Sequence, residues 1–182
     1  MALTADQYIQ QHWLRKKVWR NLESPKHLRR FAICVEVMEG ETFADVGCAL
    51  GHSTAKMAAL LGGESAWTGI DFSAAAINGG RPLFKALSFI HAPDPTALAT
   101  CGPFDSVVCS EVLEHVENDR EIVDALYAIA RKVVVLTTPC IRVNDPGHLR
   151  VYTEEELQTL CAGKNATIEN LHPFWRVVLR HD

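Results

Sequence analysis

The sequence predicts an α/β fold: an open, doubly wound, mostly parallel sheet that ends in an antiparallel C-terminal hairpin. Three observations predict it. Apolar runs of four to seven residues, "TFADVG", "AWTGIDF", "LSFIHA", "FDSVVCS" and "KVVVLTTP", have the length and the Val, Ile and Phe content of strands buried on both faces. Helix-period segments fill the gaps at 53–62, 73–80, 118–131 and 153–163, and that alternation implies right-handed crossovers. Last, "ATIENLHPFWRVVLR" holds two strand-like runs with only a short break at His172–Pro173, and so tight a link joins only antiparallel neighbours.

Taken in order, residues 4–20 and 25–38 read as two helices, the second entered through Pro25 at its first turn. Together they make an N-terminal helical cap over residues 1–40, with the core over 41–182, one structural domain in all. Residues 1–30 carry Arg15, Lys16, Lys17, Arg20, Lys26, Arg29 and Arg30 against Asp6 and Glu23, so the rest of a chain of net charge −4 is acidic. The basic stretch either meets an anionic partner or is the solvated face of a helix whose other side carries Ile9, Trp13 and Leu14. Between Ile90 and Phe104 the chain is too short and Pro-rich for a regular crossover helix. In "YTEEEL", Thr153 stands three residues before Glu156, a capping box that starts the last helix.

Composition bounds the rest. With 182 residues, 48% hydrophobic and 22% charged, the chain has the balance of an ordinary globular domain. No apolar stretch is long enough to span a bilayer, and "MALTADQYIQQHW" does not read as a secretory signal, so a cytoplasmic protein is expected. The six cysteines form no CxxC pair and read as free, mostly buried thiols.

The first strand runs into "ADVGCALGHSTAKM", spacing Asp45, Gly47 and Gly51 before a helix. Glycines here let a ligand approach the backbone, and the helix offers its N-terminal amides. The loop is not the G-x-G-x-x-G dinucleotide fingerprint, because Asp45 stands where its first glycine would be, and an acid there suits an ammonium better than a pyrophosphate. Twenty-six residues on, Asp71 closes the second strand, where a carboxylate accepts hydrogen bonds from both ribose hydroxyls of a nucleoside. The two features together point to a nucleoside cofactor.

The stretches "DVGCALG", "GIDFS", "FDSVVCSEVLEHVEND", "VVVLTTP" and "HLRVYTEEEL", from about Phe43 to Leu160, resemble the class I S-adenosylmethionine-dependent methyltransferases. Among these the chain is most similar to small single-domain enzymes such as the ubiquinone-biosynthesis O-methyltransferases. The resemblance implies a Rossmann-like, seven-stranded sheet whose last strand is antiparallel. It implies S-adenosylmethionine as cofactor and S-adenosylhomocysteine as product. It further implies that the loop from Asp45 through Gly47 and Ala49 to Gly51 wraps the methionine moiety, and that Asp71, with Phe72 after it, binds the ribose side. Asp94 would flank the adenine, and Ser110 and Glu111 would line the methionine end.

Methyl transfer is an in-line displacement at a sulfonium carbon, for which the protein supplies alignment, desolvation and sometimes a base. The chain has Cys109–Ser110–Glu111 where amine methyltransferases of nucleic acid and glutamine carry an N-P-P-Y motif, which argues against that class. Cys140 follows the fifth strand rather than the fourth, and so reads as a packing residue and not a cytosine-attacking thiol. A small-molecule hydroxyl is the expected acceptor, with His115 and His148 as catalytic candidates from two loops at the same sheet edge. His12, His27, His52, His91, His172 and His181 show no partner pattern, while Arg142, Arg150 and Tyr152 either touch substrate or decorate a loop.

In "CSEVLEHVEND", Glu111, Glu114 and His115 would share one face if a helix began there. With His148 the set resembles the E-x-x-E-H…H metal site of small-RNA 3′-end 2′-O-methyltransferases, so a divalent metal is an alternative; the acidic chain gives little support to a nucleic-acid partner. A catalytically silent S-adenosylmethionine-binding partner or sensor is the other alternative. The expected assembly is a monomer or homodimer.

Overall fold

Alternate residues of the central strands are buried on opposite sides, which is why these runs hold so few polar positions. In β4 (Phe104–Ser110), Val107 and Cys109 join one core layer and Val108 the other. In β5 (Ala130–Pro139), Val134 and Leu136 join the first layer, and Val133 and Val135 the second. The structure, a computed structural model, describes residues 4–14, 17–143, 145 and 147–181. It adds β1 (Phe43–Val46), β2 (Trp67–Asp71), β3 (Ser88–His91), β6 (Asn165–Asn170) and β7 (Phe174–Arg180), in the spatial order β3-β2-β1-β4-β5-β7-β6. β1 to β5 pair in parallel, and β7 runs antiparallel to both β5 and β6. The expected architecture is therefore the observed one: seven strands, mostly parallel, with an antiparallel end.

The helices are α1 (Ala5–Tyr8), α2 (Pro25–Val35), α3 (His52–Leu60), α4 (Ala74–Gly80), α5 (Pro95–Leu98), α6 (Asp119–Ile129) and α7 (Glu154–Leu160). Local chemistry sets several starts. The side chains of Ser73, Asp94 and Thr153 accept the N–H groups of Ala76, Ala97 and Glu156, and Thr153 and Glu156 complete the expected capping box. Arg176 of β7 fixes α2 to the sheet by donating to Glu36, Glu169 and the Ile33 carbonyl.

Two expectations are corrected. Residues 4–20 do not form one helix: α1 passes into a π-helical turn at Ile9–Leu14, Lys17 takes φ 52°, and a 3₁₀ helix follows at Val18–Glu23. The reason lies in burial. Ile9 packs with Ala49, Leu50 and Ala76, whereas Leu22 packs with Phe31 and Met57 in a different layer, and one straight rod does not serve both. Arg15 and Lys16 of the basic stretch lie outside the described residues. Second, Glu111, Glu114 and His115 do not share a helical face: Glu111 sits at φ 59°, Leu113–His115 is a 3₁₀ turn, and α6 begins only at Asp119. The crossover from β3 to β4 is, as expected, no regular helix but a single turn, α5, opened by Asp94 and Pro95.

All six cysteines are free, and Cys34, Cys48, Cys109 and Cys161 are buried. Among the described residues, no helix is long and apolar enough to cross a membrane.

Candidate functional site

The strand order reverses between β1 and β4, and the crevice outside the carboxyl ends of the strands at such a reversal is where open α/β sheets hold ligands. A cavity of about 580 Å³ opens there. One wall is the loop after β1. Gly47 has φ +82°, and a Cβ on it would lie 2.2 Å from Val112 Cγ2; Gly51 has φ +89°, and its Cβ would lie 2.7 Å from Phe89 Cζ. No larger residue fits either position without displacing its neighbour. Ala49, at φ 48°, donates its N–H to Asp71 Oδ2 at 2.8 Å, and Ser73 donates its N–H to Oδ1 at 2.8 Å. Each oxygen of Asp71 thus keeps capacity for a further donor on the cavity side. Burial pushes the Asp71 carboxyl up to about 6, against the pull of those two N–H groups.

Gly47, Ala49, Asp71, Phe72, Ser110 and Glu111 line the cavity; Asp45, Gly51 and Asp94 do not. Asp45 lies beneath the loop, where it accepts the hydroxyls of Thr54 at 2.6 Å and Ser53 at 3.2 Å and so fastens α3 to β1. Glu111 is among the acids that do stand on the wall. Asp94 is exposed and is engaged as the cap of α5.

The opposite wall carries His115 and His148, whose rings meet edge to face with centroids 4.5 Å apart, and Tyr8, whose ring is 4.8 Å from that of His115. Burial holds the His148 imidazole below the usual histidine range, although Asp145 works against it. Glu114 is fully buried and accepts from Thr138 Oγ1 at 3.2 Å; among the described residues its Oε1 has no hydrogen-bond partner. Burial, aided by the charge of Glu111, drives its carboxyl well above the usual range, which favours the neutral acid until a cation joins it. Ligand atoms of Glu114, His115 and His148 all lie within 4.8 Å of one another, a set able to hold a metal ion. Glu111, the fourth member expected, is outside that set; its carboxylate lies 3.3 Å from Arg30 Nη1.

The loop bearing His148 is stitched to the turn bearing His115. Leu149 donates its N–H to the Glu114 carbonyl at 2.8 Å, and Arg150 donates to the Val116 carbonyl at 2.9 Å and pairs with Asp119. The Tyr152 hydroxyl reaches Asp119 Oδ2 at 2.7 Å and the Leu113 carbonyl at 3.1 Å. Arg150 and Tyr152 therefore hold the loop in place, while Arg142 lines a second cavity of about 520 Å³ that shares His148 with the first.

Sequence reasoning missed Tyr8, His27, Arg30 and Asp119. His27 and Arg30, three apart on α2, both line the cavity, and that helical spacing was the one readable signal. Asp119 had none, because its partners are some thirty residues away in sequence.

A protein family described as "Methyltransferase domain" matches residues 44–133. No curated protein matches the chain. Solved structures do. Magnesium protoporphyrin IX methyltransferase from Synechocystis PCC 6803, with bound S-adenosylmethionine, is 16% identical with a TM-score of 0.67, over 98% of this chain and 97% of that one. An O-methyltransferase family protein from Burkholderia thailandensis is 11% identical with a TM-score of 0.71, over 100% of this chain and 64% of that one. The methyltransferase domain of bacterial CtHen1 is 15% identical with a TM-score of 0.64, over 90% and 100% respectively. At such identities the likeness establishes a shared fold.

Proposed function

We propose, on the premise that this chain carries a methyltransferase domain of the S-adenosylmethionine-dependent kind, that it methylates a hydroxyl oxygen of a small-molecule acceptor. One observation carries the reading: Asp71 and Ala49 on one side, and His115 and His148 on the other, bound the same cavity. S-adenosylmethionine supplies the activated methyl group when bound and leaves as S-adenosylhomocysteine. Asp71, with Phe72 beside it, holds the ribose side. Gly47 and Ala49 leave room against the backbone, and Ser110 and Glu111 meet the methionine end. Residues 1–40 act as a cap over the core of 41–182, since Tyr8, Ile9, Trp13 and Leu22 close the cavity from that side and exclude water from it. His148 takes the proton of the acceptor hydroxyl on a ring nitrogen, and His115 packs against it to fix its orientation.

Because burial keeps His148 neutral, turnover should persist through neutral pH and fail only on the acid side of the ordinary histidine range. Calorimetric titration with S-adenosylmethionine and S-adenosylhomocysteine tests the premise, and binding of neither would overturn it. A screen of hydroxylated small molecules, read by S-adenosylhomocysteine release, identifies the acceptor. His148→Asn should abolish that release while leaving cofactor affinity within about twofold.

A second reading is favoured by the Glu114, His115 and His148 cluster and by the unpartnered Oε1 of Glu114 among the described residues. These residues would hold a divalent ion, which lowers the pKa of an acceptor hydroxyl such as a ribose hydroxyl at an RNA end. Metal analysis of dialysed protein, with activity in chelator, decides between the two. Full activity in chelator would exclude the metal.

A further inference from the structure

We propose that the second cavity, between Arg142 and His148, receives an oxyanion of the acceptor, a phosphate or carboxylate set apart from the hydroxyl that is methylated. The inference rests on the acceptor reading above and deepens it by naming a class of acceptor. Asp145, His148 and Leu149 line both cavities, whereas Ala49 and Asp71 line only the first. An acceptor whose hydroxyl meets His148 therefore has about 520 Å³ beyond that ring for the rest of its body, apart from the space assigned to the cofactor.

The charges of the second cavity are unbalanced. Arg142 and Arg150 stand in its wall, with Asp145 the acid among the described residues that line it. Asp145 Oδ1 accepts the Gly147 N–H at 2.8 Å. Arg150 is engaged by Asp119 and the Val116 carbonyl. Arg142, by contrast, has no hydrogen bond or ion pair among the described residues. Carboxylates are not scarce, since the chain holds 22 Asp and Glu against 18 Lys and Arg. None of the described ones is paired with this guanidinium, whose planar fork matches the oxygens of a carboxylate or a phosphate.

A second cation reaches the same place from another element. Lys26 of α2 forms no ion pair among the described residues, and its ammonium lies 5.1 Å from the centre of the Phe174 ring. His148 feels it: burial holds the imidazole low, Asp145 works against that, and the charge of Lys26 adds to it. Two unpaired cations on separate elements thus act on one histidine, and converging fields of one sign draw an anion into a cleft. His148 Nδ1 is buried with no hydrogen-bond partner among the described residues. An oxyanion beside the ring also offsets the positive charge that His148 acquires on taking the hydroxyl proton.

The wall between the two ends describes the middle of the acceptor. Leu149, 42% exposed, belongs to both cavities, and Val143 and Val151 line the second. A ring or short carbon chain laid across Leu149 removes that apolar surface from water. The acceptor so described has an apolar body, a hydroxyl at His148 and an oxyanion toward Arg142. A neutral alcohol or phenol with the same body leaves Arg142 without a counter-charge and binds less well.

Two measurements test the site. Inorganic phosphate and, separately, acetate are titrated at fixed pH and ionic strength while the His148 ring is followed by NMR, His148→Asn giving the assignment. At least one of the two anions should shift the ring saturably, and the stronger of them names the oxyanion. Arg142→Gln should weaken that affinity about tenfold, and Arg142→Lys should keep part of it. Arg142 is exposed and unpaired among the described residues, so both variants should melt as the wild type does. No saturable shift with either anion, or equal affinity in Arg142→Gln, would overturn the proposal. Hydroxylated compounds are then compared in pairs, with and without a phosphate or carboxylate, by S-adenosylhomocysteine release. The anionic member should show about tenfold higher kcat/KM, a preference that Arg142→Gln erases. Equal use of both members would also overturn it, and if no pair turns over, the titration decides by itself. Calorimetry with S-adenosylmethionine keeps the two readings apart. Cofactor binding without any anion response sinks this proposal alone, whereas a wild type that binds no cofactor sinks the methyltransferase reading and the acceptor's place with it.

Discussion

At the scale of single residues, two buried carboxyls make opposite predictions. Asp71 works as an acceptor, and its carboxyl titrates at about 6 because burial outweighs the two N–H bonds it receives. Below that pH it protonates and turns one oxygen from acceptor to donor. Cofactor affinity should therefore be constant between pH 7 and 8 and fall about tenfold by pH 5. Calorimetry across that range checks it, and a flat profile would count against Asp71 as a ribose ligand. Asp71→Ala should abolish measurable binding at any pH. Glu114, by contrast, has its carboxyl driven well above the usual range by burial, which favours the neutral form. Glu114→Gln replaces a protonated carboxyl with an amide of the same shape, so melting temperature and turnover should both be retained. If a metal is used, the same change removes a charged ligand, and both metal content and turnover collapse. Glu111 shows the limit of reading such residues from sequence. Its spacing to Glu114 and His115 is helical, yet a positive φ in a glutamate has no sequence signature, and Glu111 turns to Arg30 while Glu114 and His115 stay together.

Among the elements, the strongest prediction concerns the junction of two loops. Asp119 at the start of α6 binds both Arg150 and Tyr152, and so holds the segment with His148 against the turn with His115. Asp119→Ala should lower turnover at least about tenfold while leaving cofactor affinity unchanged, because Asp71 and the β1 loop do not touch this network. Equal loss of both would point to general unfolding instead. Strands and crossover helices were legible because burial on both faces and helical periodicity write themselves into "FDSVVCS" and "EIVDALYAI". Residues 4–14 and 17–23 were not. Their path is fixed by two separate anchorages, Ile9 and Leu22, and by Asp6, which accepts from the Ser73 hydroxyl at the head of α4. No local pattern records where such anchors will land.

For the whole molecule, the half of the cavity built from β1 and β2 was readable because both of its parts lie at the ends of consecutive strands. On the other wall, His115 and His148 were expected together from two loops at the same sheet edge, whereas Tyr8 and His27 come from distant stretches that only the finished fold brings to them. Because the cofactor would bridge cap and core, its binding should stabilise both at once. At a ligand concentration one hundred times Kd, mass action contributes about 2.7 kcal/mol, which in a chain of this size raises Tm by about 5–10 °C. A thermal scan with S-adenosylhomocysteine measures it. Two transitions, only one of them shifted, would mean that cap and core melt apart.

The placing of the tryptophans gives the molecule a gauge of its own. Trp13 stands on the cavity wall with its ring 6.3 Å from His52, and Trp19 stacks on the other side of that histidine at 5.6 Å. Trp67 and Trp175 sit in the interior, 1% and 9% exposed. One indole, Trp13, thus reports from the cavity wall, while Trp67 and Trp175 emit from the interior. Arrival of an adenine nucleoside would be visible in the native emission of unlabelled protein, and Trp13→Phe would darken the signal without touching the chemistry at Asp71 or His148.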